Sequence, residues 1–340
     1  MQVMTVLGSV APEALGITLP HEHLLLDMDW PGLWPDVSGQ PELVWQPFDI
    51  TNLGAIRRNY MAVRDNAILD DVQEMADELL AFKRLGGGAI AEMSTIGLKG
   101  DPAGLRELSR LSGVHIIAGT GFYLQETLDP ETAALDVAGM QAIIVRDIAE
   151  GFPGTGVKAG VIGEVALNHP FKPAEERHLR AACRAQKETD LAMTVHGISK
   201  EAIAIMKEEG VDLTRVVACH QDGVTPERAK PMLDEGIYIE CDCFGHEGYC
   251  DNGAYDGPWP WRFGNDTDRA AAVATLVGAG YAEQVLLSQD ICVKMQLRRY
   301  GLAGYAHLLE NIKPMLLNLG VTEKQFLTMT VANPARFLAH

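Results

Sequence analysis

The sequence lacks a long apolar run and an excess of basic residues, and each absence excludes a class of protein. No segment of the 340 residues approaches the ~20 uninterrupted apolar residues of a membrane-spanning helix. Lysine and arginine total 28 against 46 aspartate and glutamate, so the formal net charge is −18. Nucleic acids and anionic membranes are therefore not expected as partners, because both require a basic surface.

Cysteines are few and are not spaced like a disulfide framework. Most of the six lie inside apolar runs, so we expect them to be reduced. Cys241 and Cys243 could bind a metal, but they have no partners at zinc-finger spacing and are more typical of core packing. The first residues lack the basic start and apolar centre of a secretory signal. Together these features predict a cytoplasmic protein.

Apolar segments of strand length alternate with amphipathic helical segments along the chain, and this alternation predicts the fold. Near-continuous apolar strands between helices indicate parallel strands that are buried on both faces. The predicted strands cover residues 17–24, 89–93, 114–121, 159–165, 191–196, 215–220, 237–242 and 285–290. Eight such units predict an α/β fold, a (β/α)8 TIM barrel, as a single domain of residues 1–340. The alternative, a doubly wound sheet, usually has a glycine-rich turn after its first strand, and none follows here.

Several segments accompany the repeating units. Residues 2–10 predict a short strand or hairpin that leads into the first strand. Long loops follow the first and seventh strands, over about 27–65 and 243–266. The tryptophans of the first loop could line a pocket or fill one end of the barrel. Helical spacing of apolar residues predicts a helix over 66–85, which ends at a run of three glycines.

Six potential metal ligands lie at or near the ends of predicted strands. His21 and His23 form a His-x-His motif, and alternate residues of a strand point to the same side. The later strands contribute, in chain order, Glu164, His196, His220 and Asp290. Each alone could be a surface carboxylate, a hydrogen-bonded core histidine or a turn cap. Chemistry in a (β/α)8 barrel occurs at the carboxyl ends of the strands, so we expect these six side chains to meet there.

Four imidazoles and two carboxylates are too many for one tetrahedral zinc ion and suit two divalent ions that share a ligand. Glu164 is the expected bridge, because a carboxylate can offer one oxygen to each ion. We assign His21, His23 and Asp290 to one ion and His196 and His220 to the other. A hydroxide between the ions would be the nucleophile, and Asp290 would take its proton and pass it to the leaving group. Zn²⁺ is the default, although Mn²⁺, Co²⁺ or Fe²⁺ would fit the same ligands.

The motifs along the chain resemble the phosphotriesterase-related branch of the amidohydrolase superfamily. They appear in the order of the family and cover nearly the whole chain: 19–24 (Leu-Pro-His-Glu-His-Leu), 119–123 (Gly-Thr-Gly-Phe-Tyr), 160–164 (Gly-Val-Ile-Gly-Glu), 194–196 (Thr-Val-His), 219–220 (Cys-His), 288–290 (Ser-Gln-Asp) and 333–338 (Asn-Pro-Ala-Arg-Phe-Leu). The resemblance implies hydrolysis of lactones, carboxyl esters, amides or phosphoesters. It also implies a possible homodimer, since relatives often form dimers.

Two positions depart from phosphotriesterase proper. That enzyme bridges its metals with a carboxylated lysine, whereas the matching region here offers Glu164, as in the related branch. Gly163 could be aligned with the lysine instead, but glycine has no side chain that could ligate. Phosphotriesterase proper also has a proton-relaying histidine after the strand-7 aspartate, and here Asp242 is followed by Cys243. The second departure argues against efficient phosphotriester hydrolysis and favours carbonyl substrates.

Residues beyond the metal ligands give hints of the substrate. Tyr123 follows the third strand and could donate a hydrogen bond to substrate or to the developing oxyanion, or could be packing. A cluster of cations beyond Asp290 suggests an anionic substrate group, and Lys294 and Arg298 are its predicted binding residues. Arg299 and Arg262 could belong to the same cluster. Salt bridges with neighbouring acids are the alternative explanation for all four cations.

Four functions are compatible with these residues. The leading expectation is a two-metal hydrolase of a small lactone or carboxyl ester. The same site could cleave small N-acyl amides of the N-acetyl amino acid or N-acetyltaurine type, or phosphotriesters. A binding protein that has lost its activity is the non-enzymatic alternative, and the complete ligand set argues against it.

Overall fold

The structure, a computed structural model, describes residues 1–28, 41–247 and 264–340. Its strands are β1 (Val3–Thr5), β2 (Gly8–Val10), β3 (Ile17–Glu22), β4 (Leu26–Asp27), β5 (Ile68–Leu69), β6 (Gly87–Glu92), β7 (His115–Thr120), β8 (Ala159–Ala166), β9 (Met193–His196), β10 (Val216–Ala218), β11 (Tyr238–Cys241) and β12 (Val285–Leu287). Its α-helices are α1 (Leu53–Ile56), α2 (Val72–Arg84), α3 (Pro102–Ser112), α4 (Pro130–Ala134), α5 (Val137–Ala149), α6 (Pro173–Thr189), α7 (Lys200–Glu209), α8 (Pro226–Leu233), α9 (Asp266–Gly278), α10 (Lys313–Asn318), α11 (Glu323–Leu327) and α12 (Asn333–Leu338).

Eight of these strands form one parallel sheet in the order β3-β6-β7-β8-β9-β10-β11-β12. The two end strands approach each other, because the Asp290 amide donates to the His21 carbonyl at 3.2 Å and the His23 amide donates to the Ile291 carbonyl at 3.2 Å. The sheet thus curls into a nearly closed barrel with helices around it. The predicted (β/α)8 TIM barrel is confirmed.

The barrel wall has one hydrophobic layer on its outer side and another on its inner side. Alternate residues of a strand face opposite sides, so Ile90 and Ile116 pack outward beneath the helices while Ala89 and Ile117 face the interior. The interior layer also includes Val3, Leu15 and Phe337, which close the amino-terminal end of the barrel. The hairpin β1–β2 was predicted at residues 2–10 and lies at that end. The polar residues of interest are left at the opposite, carboxyl-terminal end.

The loop after β3 contains more structure than its sequence predicts. Residues 66–85 were predicted as one helix, but Ile68–Leu69 pairs with Leu26–Asp27 as a short antiparallel ribbon. The helix α2 begins only at Val72, because the Asp71 carboxylate accepts hydrogen bonds from the amides of Gln73 and Glu74 and caps it. The prediction of the helix start was therefore wrong by six residues, counted from 66 to 72.

Of the tryptophans predicted to line a pocket or fill the barrel end, Trp45 is 66 % exposed and does neither. Trp30 and Trp34 lie outside the described residues, as do Arg262 and the tryptophans of the second long loop. None of the helices in the described ranges is long and apolar enough to span a membrane.

One buried histidine of the helical layer makes stability depend on pH. His178 on α6 donates from Nε2 to the Ala166 carbonyl at 2.8 Å and stacks on Phe122. Burial lowers its pKa from 6.5 to about 4. Because the unfolded chain binds the proton more readily, this histidine stabilises the fold at neutral pH. That contribution is lost as the pH falls from about 6.5 towards 4.

We therefore expect the free energy of unfolding to fall between pH 7 and pH 5 by about 2 kcal/mol more in the wild type than in His178→Gln. Glutamine can keep the donated hydrogen bond but does not titrate. Urea unfolding at the two pH values measures the difference. Equal pH dependence in both proteins would contradict a neutral, buried His178.

Candidate metal centre

The six predicted ligands meet at the carboxyl-terminal end of the barrel. His21 lies on β3, Glu164 on β8 and His196 at the last position of β9. His23, His220 and Asp290 follow their strands by one to three residues. His220 and Asp290 both have positive backbone φ angles, of 57° and 49°. These sharp turns direct the two side chains back over the barrel.

The carboxylate of Glu164 lies at the centre of the cluster. Its Oε1 is 3.4 Å from Nε2 of His23, and its Oε2 is 3.3 Å from Nδ1 of His196. Oε2 also lies 3.7 Å from Nε2 of both His21 and His220. The two oxygens thus face different histidines, which is the arrangement expected of a bridging carboxylate.

The carboxylate of Asp290 completes one side of the cluster. Its Oδ1 is 3.3 Å from Nε2 of His23 and 3.8 Å from Nε2 of His21. Several sets of side chains in the described ranges have ligand atoms close enough together to hold an ion, and two of these sets consist entirely of predicted ligands: His21, His23 and Asp290, and Glu164, His196 and His220. These two sets divide the histidines and Asp290 between two ions as the sequence predicts.

The donor atoms fit metal ions better than they fit one another. Nε2 of His21 and Oε2 of Glu164 are buried and have no hydrogen-bond partner among the described residues. Burying such atoms without a partner costs several kcal/mol. Burial alone would raise the pKa of Glu164, but the close approach of His196, His220 and His23 outweighs it and lowers that pKa well below its usual value. A buried, ionised carboxylate among imidazoles is a suitable ligand for divalent cations.

Residues behind the histidines fix how each ring is turned. Nδ1 of His21 is 3.1 Å from Glu240, Nδ1 of His23 is 3.0 Å from the Ser94 hydroxyl, and Nδ1 of His220 is 3.0 Å from Asp242. For all three rings, Nε2 is left facing the centre. Outer partners of this kind orient metal-binding histidines and keep them basic.

Glu240 was missed in the sequence, and Asp242 was noted only as the aspartate before Cys243, although a signal for their role behind the ligands was present. Burial raises the pKa of Glu240 to about 7, whereas in Asp242 the charge and hydrogen bond of His220 outweigh burial and lower the pKa. Glu240 lies in the apolar strand β11 and Asp242 directly follows it. Carboxylates are rarely buried unless they are paired, so both positions indicate a specific partner. The same reasoning that selected Glu164 would have selected them.

A further buried carboxylate holds the segment that carries Asp290. Glu22 lies between the two histidines of the His-x-His motif and points away from them. It accepts hydrogen bonds from the Ser288 hydroxyl at 2.7 Å and from the amides of Gln289 and Ile291 at 2.8 and 2.9 Å. Burial raises its pKa to about 8. Glu22 therefore fixes the backbone on both sides of Asp290.

A cavity of about 330 Å³ opens onto the cluster. Its lining includes Tyr123, whose ring lies edge-on to His196 with centroids 5.8 Å apart. Burial and the charges of Glu164 and Asp290 raise the pKa of Tyr123 well above its usual value, so its hydroxyl keeps its proton. Tyr123 is thus placed where it could donate a hydrogen bond, as the sequence analysis expected.

The structure does not bring Lys294 or Arg298 to the cavity. Lys294 forms an ion pair with Asp65 at 2.6 Å, and Arg298 forms one with Glu310 at 2.9 Å. These are the salt bridges that the sequence analysis considered as the alternative. Among the described residues, the lysine and arginine side chains that line the cavity are Arg58 and Arg269, which come from segments without a recognisable motif.

Comparison with known proteins assigns a family to this geometry. The sequence profile described as "Phosphotriesterase family" matches residues 1–338. The N-acetyltaurine hydrolase of Bos taurus is 36 % identical, over 99 % of this chain and 97 % of that protein. The corresponding protein of Tetraodon nigroviridis is 33 % identical, with the same coverage of both chains.

Two solved structures have the same fold. A resiniferatoxin-binding protein from Rhodobacter sphaeroides superimposes with a TM-score of 0.91 at 32 % identity, over 99 % of this chain and 94 % of that one. The phosphotriesterase homology protein from Escherichia coli, complexed with phosphate in its active site, superimposes with a TM-score of 0.76 at 25 % identity. It covers 96 % of this chain and 99 % of its own.

The geometry predicts how the protein binds metal. We expect the wild type, reconstituted with Zn²⁺ or Mn²⁺, to hold about two ions per chain, and Glu164→Gln to hold less than about one, because an amide cannot bridge two cations. Metal content after desalting measures this. The control is His115→Gln, at the amino-terminal start of β7 and so at the far end of the barrel. Full metal content in Glu164→Gln would contradict the bridging role.

Proposed function

The chain belongs to the phosphotriesterase family and is a hydrolase, and from this premise we propose that it cleaves small N-acyl amides of an anionic amine, of the N-acetyltaurine type. The relatives described above favour this amide alternative over the lactone or carboxyl ester that was our leading expectation. The observation that carries the proposal is the buried cluster of four imidazoles and two carboxylates at the floor of a cavity of about 330 Å³. That space suits a small molecule.

We assign the ligand roles as the sequence analysis did. His21, His23 and Asp290 would hold one divalent ion, His196 and His220 the other, and Glu164 would contact both. When bound, such ions polarise a carbonyl and lower the pKa of water towards neutrality. The remaining steps depend on side chains of this chain.

Asp290 is the proposed proton-transfer residue. Its side chain is 14 % exposed and lines the cavity, so one carboxylate can face both the centre and the substrate. It would accept the proton of the attacking water and return it to the leaving nitrogen. An amide requires the second transfer more than a lactone does, because an amine leaves poorly unless it is protonated.

Tyr123 is the proposed donor to the acyl oxygen. Its raised pKa keeps the phenol protonated, and the cavity wall it occupies adjoins His196. A hydrogen bond to an oxygen that gains charge during the reaction lowers the barrier.

The substrate proposal is tested by turnover on a matched panel: N-acetyltaurine, a γ-lactone, an aryl acetate and an aryl phosphotriester. With metal restored, we expect kcat/KM for N-acetyltaurine to exceed that for each of the others by at least ~10-fold, because the site must hold and protonate an amine leaving group. Hydrolysis of the lactone alone would restore our leading expectation. A fully metallated protein that turned over none of the four would contradict the substrate class.

Asp290→Asn separates metal binding from proton transfer. The amide oxygen can still ligate but cannot carry the proton, so most of the metal should remain while kcat falls by about 10²–10⁴-fold. Metal content and turnover of the same preparation measure both effects. The matched control is Asp234→Asn, an exposed carboxylate paired with Lys230. Unchanged turnover in Asp290→Asn would refute the role of Asp290.

A further inference from the structure

Some of the charged residues that line the cavity outside the metal centre already have a partner of opposite charge in the protein, and others do not. In the part of the chain that the structure describes, they are Arg58, Asp222, Asp268 and Arg269. An acidic substrate has to find a cation among them, because the carboxylates repel it. Which of the two arginines is available can be decided from their contacts.

Arg269 is already used by the protein. Its side chain is 4 % exposed. It donates from Nη1 to Asp266 at 2.9 Å and from Nη2 to the His246 carbonyl at 3.1 Å. Its Nε lies 3.8 Å from Asp222. Because Asp266 and Asp222 lie on two sides of it, the positive charge of this guanidinium is already balanced within the protein.

Arg58 has a different environment. It follows α1 in the loop after β3, it is exposed, and it lines the cavity together with its neighbours Asn59 and Tyr60. Its guanidinium forms no ion pair or hydrogen bond with any residue in the described ranges. The cations around Asp290 all contrast with it, since Lys294, Arg298 and Arg299 are each paired with an acid.

We propose that Arg58 binds the acidic group on the amine side of the substrate and thereby sets the preference for anionic N-acyl amides over neutral ones. This inference rests on the proposed amide hydrolase function. With the acyl carbonyl at the metal centre, the amine portion extends into the cavity. Asp222 and Asp268 disfavour an anion beside them, and Arg58 attracts one. A guanidinium can donate two parallel hydrogen bonds to the oxygens of a sulfonate or carboxylate.

Binding is measured apart from turnover, by calorimetry on metal-loaded protein that carries Asp290→Asn. The probes are N-acetyltaurine, its carboxylate analogue N-acetyl-β-alanine, and a neutral analogue in which a methyl sulfone replaces the sulfonate. We expect Arg58→Met to reduce the preference for the acidic probes over the neutral one by about 10-fold, the value of a charged hydrogen bond at a partly exposed site. Arg58→Lys should keep part of it. Comparing the two acidic probes tells sulfonate from carboxylate recognition.

Arg298→Gln is the matched control, since it removes a cation of the same loop system that lies outside the cavity, and it should not alter the preference. Equal preferences in Arg58→Met and in its parent would overturn the assignment of Arg58, whatever the turnover. A different outcome would separate the two proposals. If binding of the acidic probes depends on Arg58 but the wild type, which retains Asp290, hydrolyses no amide, the proposed function is refuted while the assignment of Arg58 stands.

Discussion

The Glu164 carboxylate, buried among four imidazoles, is the interaction on which the rest of the site depends. A buried carboxylate is stable only if cations or hydrogen-bond donors surround it. The imidazoles need an acceptor for the same reason, because those of His196 and His220 approach to 2.9 Å between ring nitrogens. Each group therefore makes the burial of the others tolerable. Metal ions would satisfy the atoms that remain without a partner.

This mutual dependence explains why the site carries a second layer of polar side chains. A ring that is free to turn would lose the common centre, so Glu240, Asp242 and Ser94 hold the outer nitrogens of three histidines. Glu22 likewise fixes the backbone beside Asp290, because its carboxylate accepts hydrogen bonds from the amides of Gln289 and Ile291. Parallel strands of a barrel bring these groups to one rim with little freedom. The interior apolar layer beneath them fixes the spacing of the strands, and so the fold and the site share one set of constraints.

How far the site was predictable depends on where each residue lies. The six ligands lie at the ends of apolar runs. Because the carboxyl ends of all strands in a parallel barrel lie on the same rim, their convergence could be predicted. Sequence proximity misled for Lys294 and Arg298, because nearness to Asp290 along the chain does not fix the direction of a side chain. The partner of Lys294, Asp65, is 229 residues away in the sequence, and the partner of Arg298, Glu310, is 12 residues away. Arg58 could not be found, since it lies in an irregular loop whose position is set by packing alone.

The overall charge of the chain poses a difficulty that the local arrangement of charges resolves. A net charge of −18 would repel an anionic substrate at a distance. At physiological ionic strength such fields fade over about 8 Å, so most of the surface acids are screened before a molecule enters the cavity. Inside, the charges that matter are few, and most of them cancel in pairs, as Arg269 does with Asp266. A cation on the cavity lining that is not cancelled then determines the sign of the local field. Within the described ranges, Arg58 meets this condition, as any bound metal ions would, and these charges would attract opposite ends of the same small acidic amide.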